Sequence, residues 1–341
     1  MRVDVGGRAK SVVSYVLLAA LVGYGVSTTA MDHDNSPATV SQTAALAAKR
    51  DSGAQFSLGE RYYEGRGVIQ SFAEALKWYR QSAAQGHAGA QNNLGALYLN
   101  GEGVPRNYAE AVRWFRMSAA QGYAMAQNNL GAMHYNGHGV AQDFAEALRW
   151  YRQSAALGYA LAQNSIGEMY LDGEGVPQNS AEAARWFHLA AAQGLVIAQN
   201  HLAEMYKAGR GVVQNFAEAA QWWRKAAIQG DIQAQHNLAV VLHNGVGVPQ
   251  NHAEALKWYR LAASQGSSAS QHNLGWMYAF GQGVEQDYVR AHAWLTLGAA
   301  LGNADARVNR KIIAAQMSKR QLSAAEQWVR DCVKRILRGC D

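Results

Sequence analysis

The sequence predicts an all-α fold, a solenoid of αα-hairpins, on the basis of two strictly periodic features. The motif Gly-x-Gly-Val recurs every 36 residues, at Gly65, Gly101, Gly137, Gly173, Gly209, Gly245 and Gly281. A tryptophan recurs with the same period, at Trp78, Trp114, Trp150, Trp186, Trp222, Trp258 and Trp294. Such strict self-similarity is typical of a solenoid, in which each repeat packs only against its neighbours.

Each repeat is predicted to hold two helices, helix A and helix B. In the second repeat the apolar spacing predicts helix A over residues 90–100 and helix B over residues 108–121. Gly101 and Gly122 follow these segments, and glycine favours the left-handed conformation that ends many helices. Each helix carries an apolar stripe that one hairpin cannot bury alone, so the repeats are expected to stack.

The start of helix B is strongly specified by residues that favour a helix N-cap. These residues are Ser71, Asn107, Asp143, Asn179, Asn215, Asn251 and Asp287. In the first six repeats a glutamate follows three residues later, which predicts a capping box. The last repeat has Arg290 there instead.

Glycine also recurs in the middle of helix A, where it costs about 1 kcal/mol relative to alanine. The positions are Gly59, Gly95, Gly131, Gly167 and Gly275. Because this cost is repeated, we expect a side chain of the facing helix to occupy the space beside each glycine.

The positive charge is concentrated at the two ends of the chain. The 341 residues carry a net charge of +6, but the segment 307–341 alone holds nine Lys or Arg against three Asp or Glu. The first thirty residues add Arg2, Arg8 and Lys10 against Asp4. The repeats are therefore close to neutral, which argues against a nucleic-acid partner.

Residues 1–30 have the pattern of a secretory signal peptide. Basic residues precede an apolar run over residues 12–26, and cleavage is predicted near Ala30. The run is shorter than the roughly 20 residues that span a bilayer. The sequence thus predicts an exported protein, periplasmic or secreted, with an uncleaved N-terminal anchor as the alternative.

Two cysteines, Cys332 and Cys340, are the only ones in the chain and form a candidate disulfide. On one straight helix they would lie about 12 Å apart, which is too far for a bond. A bridge would need the chain to turn near Gly339, and both alternatives stay open.

The repeat pattern resembles the Sel-one-like repeat (SLR) family, which is related to the tetratricopeptide repeat. Residues 162–194 show it well: AQNSIGEMYLDGEGVPQNSAEAARWFHLAAAQG. The resemblance implies a right-handed superhelix of seven repeats. It also implies a scaffold that binds proteins or peptides along its concave surface. The expected organisation is a signal peptide (1–30), a linker and N-terminal capping helix (31–53), seven repeats (54–305) and C-terminal capping helices (306–341).

No motif in the sequence predicts an enzyme, a cofactor or a metal ion. Gly-x-Gly-Val follows a helix rather than a strand and lacks the P-loop lysine, so it is interpreted as a turn. His236 and His272 share one position in successive repeats, and groove histidines are favoured there over a metal site. The tryptophan ladder is interpreted as packing between repeats, with a sugar-stacking track as the alternative.

The predicted partner-binding residues lie on helix A, where a pair of polar residues recurs in each repeat. The second residue of each pair is expected to bond across adjacent repeats, whereas the first is expected to contact the partner. The candidates are Asn92, Asn128, Asn164, Glu168, Asn200, Glu204, His236, His272 and Trp276. The expected partner is another protein or peptide, exported or membrane-associated. The alternative is a cell-wall glycan or another non-protein ligand.

Overall fold

The structure is a computed structural model that describes residues 36–335, and in that part of the chain it contains helices and no strand. Each repeat supplies one helix A and one helix B, as the periodicity predicts. The helices are α1 (Pro37–Ala48), α2 (Ser52–Glu64), α3 (Phe72–Ala84), α4 (Ala88–Asn100), α5 (Tyr108–Ala119), α6 (Ala124–Asn136), α7 (Phe144–Ala156), α8 (Ala160–Asp172), α9 (Ser180–Ala192), α10 (Val196–Ala208), α11 (Phe216–Ile228), α12 (Ile232–Asn244), α13 (His252–Ser264), α14 (Ser268–Phe280), α15 (Tyr288–Ala300), α16 (Ala304–Ala314) and α17 (Lys319–Lys334).

The chain divides into two compact units. The N-terminal unit extends to Asn179 and contains α1–α8, and the C-terminal unit begins at Ser180 and contains α9–α17. In both units consecutive helices pack against each other as antiparallel neighbours joined by short turns. The predicted all-α solenoid of helical hairpins is confirmed.

Helix B begins where the sequence predicts. The Asp143 carboxylate, for example, accepts the backbone N–H of Glu146 at 2.9 Å. The Glu146 carboxylate, however, pairs with Arg149 one turn further on and accepts the indole N–H of Trp150. The N-caps are therefore as predicted. Glu74, Glu110, Glu146 and Glu182 each form an ion pair with the Lys or Arg three residues later, which adds to the favourable interaction of a carboxylate with the helix N-terminus. Glu254 pairs instead with Arg224 of the preceding repeat.

Two glycine positions set the distance between helices. At Gly131, in the middle of α6, an added Cβ would lie 2.8 Å from the Tyr151 ring of α7. This contact confirms the expectation that the facing helix occupies the space beside helix A. At Gly103, which has a φ of +66°, an added Cβ would lie 2.6 Å from the Phe72 carbonyl of the preceding hairpin.

The hydrophobic core is continuous from one hairpin to the next within the N-terminal unit. Phe115, Leu130 and Met133 belong to one cluster that joins α5 to α6, and all three are fully buried. Trp150 of the next helix B packs against this cluster, and Trp114 packs in the same way one repeat earlier. These tryptophans fill the space between repeats, as expected from the interpretation of the tryptophan ladder as packing between repeats.

The C-terminal end of the stack is closed by α17. Trp328 lies edge-to-face against Trp294 of α15, with ring centroids 5.2 Å apart. The helix begins at Ser318, whose hydroxyl forms a reciprocal capping box with Gln321. The preceding α16 occupies the position of an eighth helix A.

Candidate functional site

The structure separates the predicted partner-binding residues into a buried and an accessible group. Asn92, Asn128 and Asn164 are fully buried in the N-terminal unit, and Glu168 is 9% exposed. These four residues therefore present no surface for a partner, which corrects the expectation that the first polar residue of each pair is a contact. The sequence period could not reveal this burial because the same position is accessible in other repeats.

Hydrogen bonds between neighbouring helices A explain why Asn92 is buried. Asn129 Nδ2 donates to Asn92 Oδ1 at 2.9 Å, and Asn92 Nδ2 lies 3.4 Å from Met125 Sδ. Asn129 is the second residue of the pair Asn128/Asn129, and it bonds to the adjacent repeat as expected. Both members of the pair contribute to packing in this unit.

Glu168 is a buried carboxyl in the N-terminal unit. Asn164 Nδ2 donates to Glu168 Oε1 at 3.1 Å. Burial raises the pKa of Glu168 to about 7; the Asn164 hydrogen bond opposes this shift, and the nearby Asp172 and Glu174 add to it. Glu60 occupies the same repeat position, and burial raises its pKa to about 7 against the opposing charge of Arg66.

The predicted residues of the C-terminal unit are accessible. Asn200, His236, His272 and Trp276 are partly exposed, and Glu204 is exposed. They lie on α10, α12 and α14, the helices A of successive repeats. These five residues are therefore the part of the prediction that can contact a partner.

Hydrogen bonds hold the polar side chains of this surface in place. Glu204 accepts from Asn237 Nδ2 and from Lys207 Nζ, each at 3.1 Å. His236 Nδ1 forms a 2.9 Å hydrogen bond with Ser270 Oγ on the next helix A. Burial lowers the pKa of His236, so the imidazole is neutral at neutral pH.

His272 lies in a chain of hydrogen bonds that links α16 to α13. Asn309 Nδ2 lies 2.8 Å from His272 Nε2, and His272 Nδ1 lies 3.1 Å from Asn273 Oδ1. Asn273 Nδ2 in turn donates to Tyr259 Oη at 3.1 Å. With a proton on Nδ1, the imidazole donates to Asn273 Oδ1 and accepts from Asn309 Nδ2.

An aromatic and aliphatic stripe extends the surface beyond the predicted residues. The Trp276 ring stacks on His272 and contacts Phe280, with centroids 6.4 Å and 4.6 Å away. Phe280 is 56% exposed, and Val308 and Ile312 on α16 are 58% and 51% exposed. Val308 and Ile312 lie 36 residues after His272 and Trp276, so they occupy the same positions of the repeat. This spacing is visible in the sequence, but the predicted partner-binding residues do not extend beyond the seventh repeat. The helix-A surface of the C-terminal unit consists of Asn200, Glu204, His236, His272, Trp276, Phe280, Val308 and Ile312.

Some sequence predictions concern residues outside the described part of the chain. The predicted signal peptide, residues 1–30, lies outside it, as does Cys340. Cys332 lies on α17 and is buried, and its pairing with Cys340 stays a prediction. Within residues 36–335, no helix has both the length and the hydropathy required to cross a membrane. The same residues contain no group of three or more His, Cys, Asp or Glu side chains arranged to hold a metal ion.

Comparisons with known proteins agree with the repeat architecture. The Sel1 repeat profile matches seven consecutive segments, residues 52–87, 88–123, 124–159, 160–195, 196–231, 232–267 and 268–303. No curated protein matches the chain. Among solved structures, the Sel1 repeat protein from Oxalobacter formigenes is 30% identical with a TM-score of 0.64, over 88% of this chain and 85% of that chain.

A second similar structure is a protective antigen present in uropathogenic Escherichia coli strains, which displays an SLR fold. It is 26% identical with a TM-score of 0.50, over 96% of this chain and 92% of that chain. The profile covers most of the sequence, and the helical hairpins follow its segments in register. The chain therefore belongs to the Sel1 repeat family.

Proposed function

We propose that this chain is an exported scaffold that binds a protein or peptide partner through the helix-A surface of its C-terminal unit. Proteins of the Sel1 repeat family are generally scaffolds for protein interaction and are typically not enzymes. The proposed work of the chain is to hold a partner in assembly, regulation or host interaction at the cell envelope.

The observation that carries this proposal is the exposed apolar stripe formed by Trp276, Phe280, Val308 and Ile312. Scattered apolar residues on a surface are common, but a contiguous stripe bordered by polar side chains is typical of an interaction site. Aromatic side chains in such stripes often supply most of the binding energy. A partner that covers this stripe would bury the exposed side chains of Phe280, Val308 and Ile312 together with the partly exposed Trp276 ring.

Polar groups on α10, two repeats before Trp276, belong to the same helix-A surface. The Asn200 Oδ1 atom is buried and has no hydrogen-bond partner among the described residues. Glu204 is exposed, and its carboxylate lies beside Lys207. Because Asn200 Oδ1 is buried, only the exposed Glu204 carboxylate can accept backbone N–H groups of a bound segment.

The proposal of export is supported by the signal-peptide pattern of residues 1–30. A protein similar to this chain over most of its length is described as a protective antigen. Expression of the full chain with its own N terminus, followed by fractionation and N-terminal sequencing, tests export. We expect the mature chain to begin at Met31; a cytoplasmic chain that begins at Met1 would refute it.

The partner-binding surface is tested by replacing Trp276 and Phe280 with alanine in the full chain. Cross-linking in envelope extract identifies a candidate partner, and the purified partner is then titrated against both proteins. We expect the double variant to weaken binding more than about tenfold, because aromatic anchors dominate interface energies. Val213→Ala is the matched control, because Val213 is 87% exposed in a turn of the same unit.

The outcome that would overturn this placement is a double variant that binds the purified partner as tightly as the wild type. A glycan array probed with the same proteins tests the alternative of a cell-wall ligand. If the wild type binds a glycan and the double variant does not, the proposed binding surface is correct but the ligand is a glycan and not a protein.

A further inference from the structure

The sixth repeat differs from the first and third repeats at a pair of ring-bearing side chains. In the first repeat Tyr63, near the end of helix A, contacts Phe72 at the start of helix B, with centroids 5.3 Å apart. Tyr135 and Phe144 make the same contact in the third repeat, at 5.1 Å. In the sixth repeat both positions are histidine, His243 on α12 and His252 on α13.

The two imidazoles are in contact and have unused nitrogen atoms. Their centroids lie 4.9 Å apart at an interplanar angle of 68°. The Nδ1 atom of each ring is buried and has no hydrogen-bond partner among the described residues. Burial, together with the neighbouring His252, lowers the pKa of His243. Two imidazoles side by side therefore each have a buried ring nitrogen that no protein group uses.

A third polar group belongs to the same position in the repeat. Tyr63 and Tyr135 donate to Glu102 and Glu174, each 39 residues further along the chain. The residue 39 positions after His243 is Gln282. Its Oε1 atom is also buried without a hydrogen-bond partner among the described residues. Where the sixth repeat meets the seventh, two imidazoles and an amide oxygen thus replace the rings and the carboxylate found at the equivalent positions earlier in the chain.

The ring separation matches that of two histidines bound to one metal ion. A zinc–nitrogen bond is about 2.0–2.1 Å long, which places each imidazole centroid about 3.2 Å from the ion. Two such rings at a tetrahedral angle have centroids about 5.2 Å apart. The observed separation of 4.9 Å is compatible with this value. The equivalent Tyr–Phe pairs have similar separations of 5.3 Å and 5.1 Å, so the repeat backbone sets this spacing and the histidines supply the ligand atoms.

We propose that His243 and His252, with the Gln282 side-chain oxygen, bind a divalent transition-metal ion such as Zn²⁺. Imidazole nitrogen is a preferred ligand of zinc, copper and nickel, whereas oxygen-only sites favour magnesium and calcium. Water molecules complete the coordination at this partly exposed position. The bound ion joins helix A to helix B of the sixth repeat, and it stabilises the folded chain by mass action.

The test is calorimetric titration of ZnCl₂ into the full chain, purified without an affinity tag that contains histidine. We expect one site per chain and a rise in melting temperature with added zinc. The H243Y/H252F variant places the tyrosine and phenylalanine of the first and third repeats in the sixth. It should fold normally and lose the site.

Two further variants sharpen the test. The H188Q variant removes an exposed histidine of the same unit and should bind zinc like the wild type. The Q282E variant adds the carboxylate that the second and fourth repeats have at this position, Glu102 and Glu174. It should bind zinc at least about tenfold more tightly, since single groups around an ion change affinity by 10–100-fold.

The proposal is overturned if the wild type shows no zinc-dependent heat or stabilisation, or if H243Y/H252F binds as tightly as the wild type. Should that double variant fold poorly, H252Y alone serves instead, because Tyr108 and Tyr288 occupy this position in other repeats. Unchanged affinity in Q282E would overturn the assignment of Gln282 as a ligand.

Discussion

Glu60 and Glu168 occupy the same position of the repeat, where Glu168 is buried and Glu60 is partly buried. Burial raises the pKa of both to about 7, from an ordinary value of 4.5. Between about pH 4.5 and pH 7, the folded state therefore binds more protons than the unfolded state. Its stability falls as the pH rises through this window, and the loss is complete above about pH 7.

We predict that Glu168→Gln stabilises the protein above pH 7. The amide keeps an oxygen that can accept the Asn164 hydrogen bond, and it removes the buried charge. Since one pKa unit corresponds to 1.36 kcal/mol, the gain at pH 8 is at most about 3 kcal/mol. Thermal unfolding at pH 8 and at pH 4 measures it, and the gain should vanish at pH 4.

Glu204→Gln is the matched control for this prediction, because Glu204 occupies the same repeat position and is exposed. It should change the melting temperature little at either pH. A Glu168→Gln variant that melts like the wild type at pH 8 would contradict the account of a destabilising buried charge.

The contrast between Asn92 and His272 shows why residue-level predictions from the repeat are incomplete. Both are the first polar residue of their pair, yet Asn92 is fully buried and His272 is partly exposed. The 36-residue period predicts that a residue lies on helix A, but it does not predict how deeply that residue is buried. Burial depends also on the size and polarity of side chains on neighbouring helices, such as Met125 beside Asn92.

At the scale of single elements, the close contact of helix A with helix B leads to a prediction at Gly131. An alanine Cβ there would approach the Tyr151 ring to 2.8 Å, so the ring must move. Overpacking of this kind costs about 1–3 kcal/mol, which exceeds the gain of about 1 kcal/mol in helix propensity. We expect Gly131→Ala to lower the midpoint of urea unfolding.

Gly53→Ala tests whether this effect comes from packing. Gly53 also lies in a helix A, but its added Cβ would meet only Asp51 Oδ1, at an ordinary distance of 3.4 Å. This variant should be as stable as the wild type or more stable. Equal behaviour of the two variants would show that the contact with Tyr151 does not restrict residue 131.

Helix boundaries could be predicted well because the chemistry that sets them is local. Asn107 accepts the N–H of Glu110 and begins α5, as its type and position predict. The capping box was a less successful prediction, because the Glu110 carboxylate has a competing cation, Arg113, one turn further on. A motif specifies which groups can bond, and the next turn of the helix determines which bond forms.

Across the whole molecule, the stack depends on what covers its last hairpin. Trp294 is 1% exposed and lies against Trp328 of α17. We predict that removal of residues 319–341 lowers the melting temperature and causes aggregation, because a repeat stack needs a polar cap at its end. Differential scanning calorimetry and size-exclusion chromatography measure the two effects.

A substitution on the outer side of the cap provides the control. Val333 is 55% exposed on α17, so Val333→Ser should leave the melting temperature unchanged. A truncated chain that melts with the wild type and stays monomeric would show that α17 is not needed to close the stack.

The fold class could be predicted from the sequence because its signal is repeated seven times. The proposed partner-binding surface could be predicted only in part. The repeat indicates Trp276 and the polar residues, but Val308 and Ile312 lie beyond the last matched segment. Those residues become prominent only when α16 is known to occupy the position of a helix A. Long-range burial, unlike local periodicity, requires the neighbouring elements to be in place.

The close approach of Gly103 to the Phe72 carbonyl has a consequence for how such a protein can change over evolutionary time. The equivalent Gly139 meets the Tyr108 carbonyl in the same way one repeat later, so each junction uses the same backbone contact. Duplication or loss of a whole 36-residue block recreates the junction, whereas a shorter insertion beside the glycine breaks it. Chain length among related proteins should therefore vary in steps of one helical hairpin, and the two ends of the chain should be the most divergent parts.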